Sequence, residues 1–537
     1  MTVAAAARVR TLPRQTSRRV PTPVLAGGVF LLALALRLVN VGRSADLFVD
    51  ELIYRQLGVS AAQGGFPRTS EGLFFLHPPG YFYVEAGWGK LVGFGPDLVT
   101  GVYQARLVNV LLGAATAVLV LLLVTMAGSR TTGVVAALLF ALDPYIIRQN
   151  DRVMLDTQAM LFVLAGYLVL LTLSREPLPG RPRLRAAAAG LLFGLALLTK
   201  DHAALITLLP LLIALSLGWG APRRLMLTTL GTSVLPYGLY VGLVALCGHI
   251  VPFWHAKYHG AARLIGVVQE SGFNAPGTPS LSSRLADQAT TYASTYALLL
   301  VGPIALVVLL RRKDPVLRML GLFHLCAGLT LLFALAHGTL EEQALYLLIV
   351  PTLVTLGAAL SVGMQWYRQR DGRAVRRRVL LVATAGFVTA ALAFSGTSYA
   401  KVRTGRDDGY AQLRDYMDKH VPAGSAVIAA DGGASGGVSS WALRDKYKVG
   451  DWVTREDRSR AHARYLVVPW KVIDQGYGRM DAGTAQRLAG EGRLVFSFPG
   501  RSYGTLALYK LPLPPGTERA PAPSAAGDVR TGTGHGR

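Results

Sequence analysis

Residues 104–127 read QARLVNVLLGAATAVLVLLLVTMA, a stretch dominated by apolar side chains. A run of about 18 or more apolar residues is long enough to cross the hydrocarbon layer of a membrane as a helix. The rest of the chain fits this interpretation, because 52% of its 537 residues are hydrophobic and only 16% are charged. A soluble protein would carry about a quarter charged residues. The sequence therefore predicts an integral membrane protein.

Further apolar runs predict a polytopic α-helical membrane protein with about 11 transmembrane helices. They lie at about 23–41, 131–147, 156–173, 186–199, 202–218, 225–247, 292–310, 317–336, 344–363 and 379–396. Residues 186–218 could instead form one long tilted helix, but the basic pair Arg223–Arg224 would then lie outside and every later segment would be inverted. We therefore expect a hairpin that places Lys200 at the outer surface.

The formal charge of +24 would suit a nucleic-acid-binding protein, but its distribution argues against that class. Arg and Lys cluster in short connections between apolar runs, where the positive-inside rule expects cytoplasmic loops. The first run could be a cleaved signal peptide, yet it is long, contains Arg37 and lacks a small-x-small cleavage site. We expect an uncleaved first span, a cytoplasmic N-terminus and a multi-pass protein of the cell membrane. The two cysteines, Cys247 and Cys326, indicate no disulfide framework.

Composition divides the chain into four parts. A basic cytoplasmic N-terminus (1–22) precedes a transmembrane domain (23–396) with large outer loops at 43–103 and 248–291, and an extracytoplasmic α/β domain (397–511) precedes a Pro- and Ala-rich tail (512–537) predicted to be disordered. Inside the α/β domain, the pattern predicts a helix, two strands and a hairpin, at 410–420, 426–430, 465–469 and 494–498 with 505–509.

Acidic, basic and aromatic residues that are far apart in sequence fall on one outer face of this topology. They are Asp50, Glu51, Tyr54, His77, Arg152, Asp156, Lys200, Glu342, Gln343 and Tyr346. Individually they have simpler interpretations: Asp50 and Glu51 could cap the following helix, and Arg152 could pair with Asp156 one helical turn later. Together they predict one cavity lined by acids and cations at the outer leaflet.

Such a cavity suits a particular transfer reaction. Nucleotide sugars are cytoplasmic, so an outer-face transferase needs a donor that crosses the membrane, and a sugar on a polyprenyl phosphate meets that need. Its phosphate leaving group requires cations to stabilise the charge, but no general acid. One carboxylate suffices to take the proton of the acceptor hydroxyl. A single displacement of this kind inverts the anomeric centre.

The order of these motifs over about residues 20–400 resembles the GT-C glycosyltransferases, in particular the protein O-mannosyltransferase and aminoarabinose-transferase branch. The matching pieces are Asp50-Glu51 with Tyr54, His77-Pro78-Pro79, Arg152 to Asp156, the segment Gly194–Lys200, and Gln343 to Tyr346 with Pro351. The resemblance implies that Asp50 is the catalytic base and that Glu51 supports the base or the acceptor. It implies that Lys200, with Arg152 as a second cation, faces the donor phosphate, and that Asp156 shapes the site.

Two departures argue against aminoarabinose as the substrate. Ile53 stands where the family often has an Arg before the tyrosine, and His77 stands where aminoarabinose transferases have a Lys. The expected partners are a polyprenyl-phosphate-linked sugar, the lipid bilayer and an extracytoplasmic acceptor, which could be a protein, a cell-wall glycan or a glycolipid. No cofactor is assigned, although a divalent cation is compatible with this chemistry. His255 and His259 could share a helix face and bind a metal, but no third ligand is evident.

Two other classes of protein compete with this prediction. A secondary transporter would suit the number of spans, but such transporters usually show internal repeats and helices interrupted near the midplane. No repeat is evident in this sequence, and its ionisable residues gather at one surface. A scaffolding membrane protein would not need acids and cations to converge.

Overall fold

The structure is a computed structural model that describes residues 21–268, 280–369, 374–432, 436–476, 478 and 480–512. Nearly all of the predicted N-terminal segment and of the predicted disordered tail lie outside these residues, as does part of the second outer loop. The remaining predictions fall on the described part of the chain.

Helices make up most of the described chain. They are α1 (Thr22–Leu38), α2 (Val49–Ala62), α3 (Gly80–Val92), α4 (Leu98–Ala127), α5 (Arg130–Leu142), α6 (Pro144–Asn150), α7 (Leu155–Thr172), α8 (Pro182–Thr199), α9 (Ala203–Leu217), α10 (Arg223–Leu246), α11 (Ile250–Leu264), α12 (Leu281–Thr291), α13 (Ala293–Leu310), α14 (Pro315–Ala336), α15 (Ala344–Gln369), α16 (Ala374–Thr404), α17 (Gly409–His420), α18 (Val438–Leu443), α19 (Arg455–Ala461), α20 (Trp470–Asp474) and α21 (Ala482–Glu491). The strands are β1 (Arg68–Thr69), β2 (Gly72–Leu73), β3 (Ala426–Ala429), β4 (Lys448–Gly450), β5 (Ala463–Pro469), β6 (Arg493–Gly500) and β7 (Gly504–Lys510).

Seven of the described helices are long and apolar enough to cross a membrane, namely α4, α7, α8, α10, α13, α14 and α15. An eighth span results if the bent pair α5–α6 is counted as one. The predicted number of about 11 is therefore not confirmed, although every predicted run falls on a helix. Helices α1 and α9 are apolar but have fewer than 18 residues, which is short for the hydrocarbon thickness.

The break between α5 and α6 bends the chain by 67° inside one predicted span. Asp143 caps α6, because its Oδ1 accepts hydrogen bonds from the backbone N–H groups of Tyr145 (3.1 Å) and Ile146 (2.9 Å). Pro144 occupies the first turn of α6, where a missing N–H costs nothing. A capping acid followed by proline thus ends one helix and starts another.

The segment Lys200–His202 separates α8 from α9, so residues 186–218 do not form one continuous helix. The helical hydrogen-bond pattern ends as the backbone of Lys200 becomes extended (φ −151°, ψ 124°). This break places Lys200 between two helix ends, as the predicted hairpin requires.

The last part of the described chain contains a five-stranded sheet in the order β4-β3-β5-β7-β6. Strand β3 is parallel to β4 and β5, whereas β7 is antiparallel to β5 and β6. One buried cluster joins side chains of this sheet and of α17 to those of α2, α3 and α4. The Arg501 side chain also donates to the carbonyl oxygen of Ser44 (3.0 Å). The backbone N–H of Asp407 donates to the carbonyl oxygen of Arg43 (2.7 Å). The sheet therefore braces the segment that leads to α2.

Candidate active site

Asp50 lies in the first turn of α2 and is half-buried. Within the part of the chain that the structure describes, its carboxylate has no hydrogen bond or ion pair. Burial and the nearby Glu341 raise the pKa of Asp50 to about 6, although Lys200 opposes the rise. A carboxylate with this pKa is mostly ionised at neutral pH and is a stronger base than an ordinary Asp.

Glu51, the next residue, is fully buried and completely engaged. Its two oxygens accept hydrogen bonds from Arg106 Nε (2.8 Å) and Nη2 (2.7 Å). They also accept from the backbone N–H groups of Val153 (2.9 Å) and Phe48 (3.0 Å). This arrangement caps α2 and ties it to α4 and to the loop before α7. The geometry thus gives Glu51 a structural position and does not support a catalytic one.

Lys200 and Asp156 form a buried ion pair. Lys200 Nζ lies 2.7 Å from Oδ1 and 2.9 Å from Oδ2 of Asp156. The two side chains are 5% and 1% exposed. Asp156 therefore does not pair with Arg152, the simpler alternative considered from the sequence, because the extended backbone after α8 brings Lys200 to the first turn of α7.

A small cavity opens beside this ion pair. It is lined by Asp156, Lys200, His202, Glu341 and Gln343 together with apolar side chains of α14 and α15. Lys200, Asp156 and Glu341 are among the charged groups that shift the pKa of Asp50. The cavity combines a cation, a free carboxylate nearby and an apolar wall.

Tyr54 lies one helical turn after Asp50 in α2, and the ring of His77 from the first outer loop contacts that of Tyr54. Their rings meet edge to face with centroids 6.0 Å apart, and burial and Asp50 raise the pKa of Tyr54. Burial, reinforced by Lys200, lowers the pKa of His77 well below its usual range. His77 is therefore neutral at physiological pH and can donate or accept a hydrogen bond, but it adds no positive charge.

Gly80 explains how this loop approaches Lys200 so closely. A Cβ atom at Gly80 would lie 2.7 Å from the carbonyl oxygen of Leu198 at the end of α8. Only glycine allows that contact, because real Cβ atoms do not approach backbone oxygens this closely. The His77-Pro78-Pro79-Gly80 segment is thereby held against the helix end that carries Lys200.

Arg152 and Glu342 belong to a separate charged cluster that is centred on Asp46. Arg152 Nη2 lies 2.6 Å and 2.7 Å from the two Asp46 oxygens, and its Nη1 lies 3.4 Å from Glu342. Arg148 also pairs with both acids. Burial alone would raise the pKa of Asp46, but the two guanidinium groups hold it well below its usual value. The two carboxylates therefore neutralise the two guanidinium groups, and Arg152 is already paired with both acids.

Tyr346 is buried within the helix bundle, where its hydroxyl accepts a hydrogen bond from Asn150 Nδ2 (2.9 Å). It does not line the cavity. Arg37 of α1 donates to the Oδ1 atom of the same Asn150 (2.8 and 3.1 Å). Both residues therefore connect helices and lie outside the group around Asp50.

Two features of this region were missed by the sequence reasoning, namely Asp46 and the pairing of Lys257 with Asp201. Nothing in the sequence predicts the ion pairs of Asp46 except its position four residues before Asp50. Arg263 pairs with Glu341 (3.0 Å) near the cavity, and Lys257 pairs with Asp201 (2.8 Å). Arg263 and Lys257 share the helix α11. In the described residues, no three His, Cys, Asp or Glu side chains are grouped to hold a metal ion.

Comparison with known proteins agrees with this architecture. Residues 91–261 match the family model described as dolichyl-phosphate-mannose-protein mannosyltransferase. The oligosaccharyltransferase of Archaeoglobus fulgidus in its apo form has a similar structure (TM-score 0.59, 13% identity), with 92% of this chain and 74% of that chain covered. So does ArnT from Cupriavidus metallidurans bound to undecaprenyl phosphate (TM-score 0.59, 14% identity), with 91% and 97% covered. No match was found among curated proteins.

Proposed function

We propose that this chain, which has the GT-C fold and resembles the protein mannosyltransferases of that class, is an inverting glycosyltransferase. It moves a sugar from a polyprenyl phosphate carrier to an acceptor outside the cytoplasm. Nothing in the described residues favours the transporter alternative.

The unpaired carboxylate of Asp50 carries the proposal. The other ionised side chains named around the cavity are paired, as in Lys200 with Asp156 and Arg263 with Glu341. A general base must have a lone pair that is free to accept a proton, and a pKa not far below the working pH. Asp50 meets both conditions. Glu51 does not meet the first, because its oxygens already accept four hydrogen bonds, and its side chain is fully buried.

The reaction needs one proton acceptor and one anion-stabilising group. The acceptor hydroxyl oxygen attacks the anomeric carbon of the sugar while its proton passes to an Asp50 oxygen. The bond from the anomeric carbon to the carrier phosphate breaks, and the electron pair leaves with the phosphate oxygen. Attack opposite to the leaving group inverts the anomeric configuration.

Lys200 is the cation that would meet the departing phosphate, with Arg263 as the second. Each is now paired with an acid that a phosphate would have to displace or share. Arg152 was expected in this role, but its side chain is paired with two acids and only 1% exposed, whereas that of Arg263 is 28% exposed. Charge-assisted hydrogen bonds from such groups in a water-poor site stabilise a developing anion strongly.

The carrier is proposed from the chemistry and from the similar ArnT structure, which holds undecaprenyl phosphate. The apolar wall of the cavity suits the first isoprene units of such a lipid. The acceptor is a protein, a cell-wall glycan or a glycolipid at the outer surface of the cell membrane. The sheet-containing part of the chain, next to α2, is suited to help orient it.

The test is transfer of radiolabelled sugar from a panel of polyprenyl-phosphate sugars, with purified protein in lipid and a cell-envelope extract as acceptor. Asp50→Asn is the inactive variant. Asp97→Asn is the matched control, because Asp97 is a half-buried acid of the same predicted outer loop that caps α4, and Asn also caps helices well. Label moved by the wild type and by Asp97→Asn, but not by Asp50→Asn, supports the proposal. No transfer from any donor by folded protein would refute it.

A further inference from the structure

A cavity of about 450 Å³ is lined by residues at the end of α7 opposite to Asp156. It is formed where α7 and α9 end and where α10 and α14 begin. Asp156 of the candidate site is in the first turn of α7, and that helix has 18 residues, or about 27 Å at roughly 1.5 Å per residue. This length is close to the hydrocarbon thickness of a bilayer, about 30 Å. The cavity therefore opens at the opposite membrane surface.

The lining of this cavity is amphipathic. Its floor contains the buried side chains of Leu173, Ala214 and Met226, and its rim carries the exposed Arg175 and Arg223. Glu176 is the one acid among the lining residues, so basic charge is in excess. An apolar floor below a basic rim has the polarity order of a phospholipid, whose acyl chains start just beneath its phosphate.

Trp219 adds an interfacial marker. It lines the cavity, and the guanidinium of Arg318 lies over its ring at 4.6 Å from the centroid. Tryptophan is enriched at the level of the lipid headgroups, because its ring is apolar and its N–H is polar. A third guanidinium is thereby held beside the rim.

Ser174 is the second indication of a ligand. Its Oγ atom is buried, yet it has no hydrogen-bond partner among the described residues, and the residue lines the cavity next to Arg175. Buried hydroxyl groups normally find a partner, since leaving one unpaired costs free energy. Rotation of the Ser174 side chain about its Cα–Cβ bond toward the cavity would give the hydroxyl a phosphate oxygen as its partner.

We propose that this cavity binds the headgroup of an anionic phospholipid of the membrane leaflet opposite to the candidate active site. The phosphate is held by Arg175 and Arg223 and accepts a hydrogen bond from Ser174 Oγ, while the glycerol and the first methylenes rest on the apolar floor. This site is separate from the donor cavity and does not depend on the proposed transfer reaction. Basic pockets between transmembrane helices are known to take such headgroups.

The experiment measures lipid retention by native mass spectrometry of the full-length protein released from vesicles. The vesicles contain dioleoyl phosphatidylglycerol or, separately, dioleoyl phosphatidylcholine. The test variant is the double substitution Arg175→Gln and Arg223→Gln, and the matched control is Arg311→Gln and Arg312→Gln. The control residues are exposed on the same surface but do not line the cavity.

The wild type and the control should retain phosphatidylglycerol in preference to phosphatidylcholine. Each lost cation should lower retention about fivefold, and Ser174→Ala should lower it further without lowering the unfolding temperature of lipid-free protein. Equal retention of both lipids, or full retention by the double variant, would overturn the proposal. Displacement of the lipid by inorganic phosphate would overturn it as well, because it would identify a site for a soluble phosphate.

Discussion

Lys200 Nζ lies 2.7 Å from Asp156 Oδ1, with both side chains buried between the ends of α7 and α8. The cation that is proposed to meet the donor phosphate is therefore already neutralised. Removing one partner of a buried pair costs about 3–5 kcal/mol, because the other charge is left uncompensated. Any test of Lys200 must separate this structural effect from a loss of donor binding.

Lys200→Gln and Asp156→Asn should each lower both the unfolding temperature and donor transfer. The double variant Lys200→Gln with Asp156→Asn removes both charges, so it should regain most of the stability but not the transfer rate. Thermal unfolding and single-turnover transfer, measured on both single variants and the double variant, give the coupling between the two residues. Recovery of transfer together with stability would remove Lys200 from the donor site.

Asp50→Asn should lower transfer by about 10²–10⁴-fold, the usual contribution of a positioned general base. Stability should not fall, because the Asp50 carboxylate makes no hydrogen bond within the described residues. The measurement is the initial transfer rate at saturating donor, alongside the unfolding temperature. A rate close to that of Asp97→Asn would show that Asp50 is not the base.

Transfer should depend on pH through Asp50. Its pKa is raised to about 6, so the carboxylate is protonated and inactive below that value and ionised above it. We expect the rate to rise between about pH 5 and pH 7 and to level off at higher pH. A profile that is flat down to pH 4, measured with protein shown to remain folded, would contradict this assignment.

Glu51→Gln should act on stability first. It weakens the two-point contact with Arg106 and leaves that buried guanidinium without its counter-charge, which costs about 3–5 kcal/mol. We expect a clearly lower unfolding temperature, with transfer per folded molecule reduced less than in Asp50→Asn. If Glu51→Gln kept full stability but lost transfer, Glu51 would be catalytic after all.

Adjacent residues show where sequence reasoning stops. Asp50 and Glu51 are both acids at the start of one helix, and both were predicted to be catalytic. Successive residues of an α-helix point about 100° apart, so one can face a cavity while the next is buried against α4. Sequence spacing did not indicate which of the two would find a buried guanidinium.

Arg152 illustrates the same limit for charges. Its closest acid in helical spacing is Asp156, four residues later, but the structure pairs Arg152 with Asp46 and Glu342 instead. Asp156 pairs with Lys200, which is 44 residues away. Either pairing would neutralise the charge of Arg152, so only the packing of distant segments could decide between them.

By itself, the sequence determined that this is a helical membrane protein, where its apolar runs lie and which motifs resemble the GT-C glycosyltransferases. Those properties follow from composition and from the length needed to cross a bilayer, which are local. Tertiary structure alone decided that Asp50 has no partner among the described residues, that Glu51 and Arg152 form buried ion pairs, and that a second cavity lies at the other end of α7. Ion pairing depends on distance and burial, and neither is fixed until distant helices pack together.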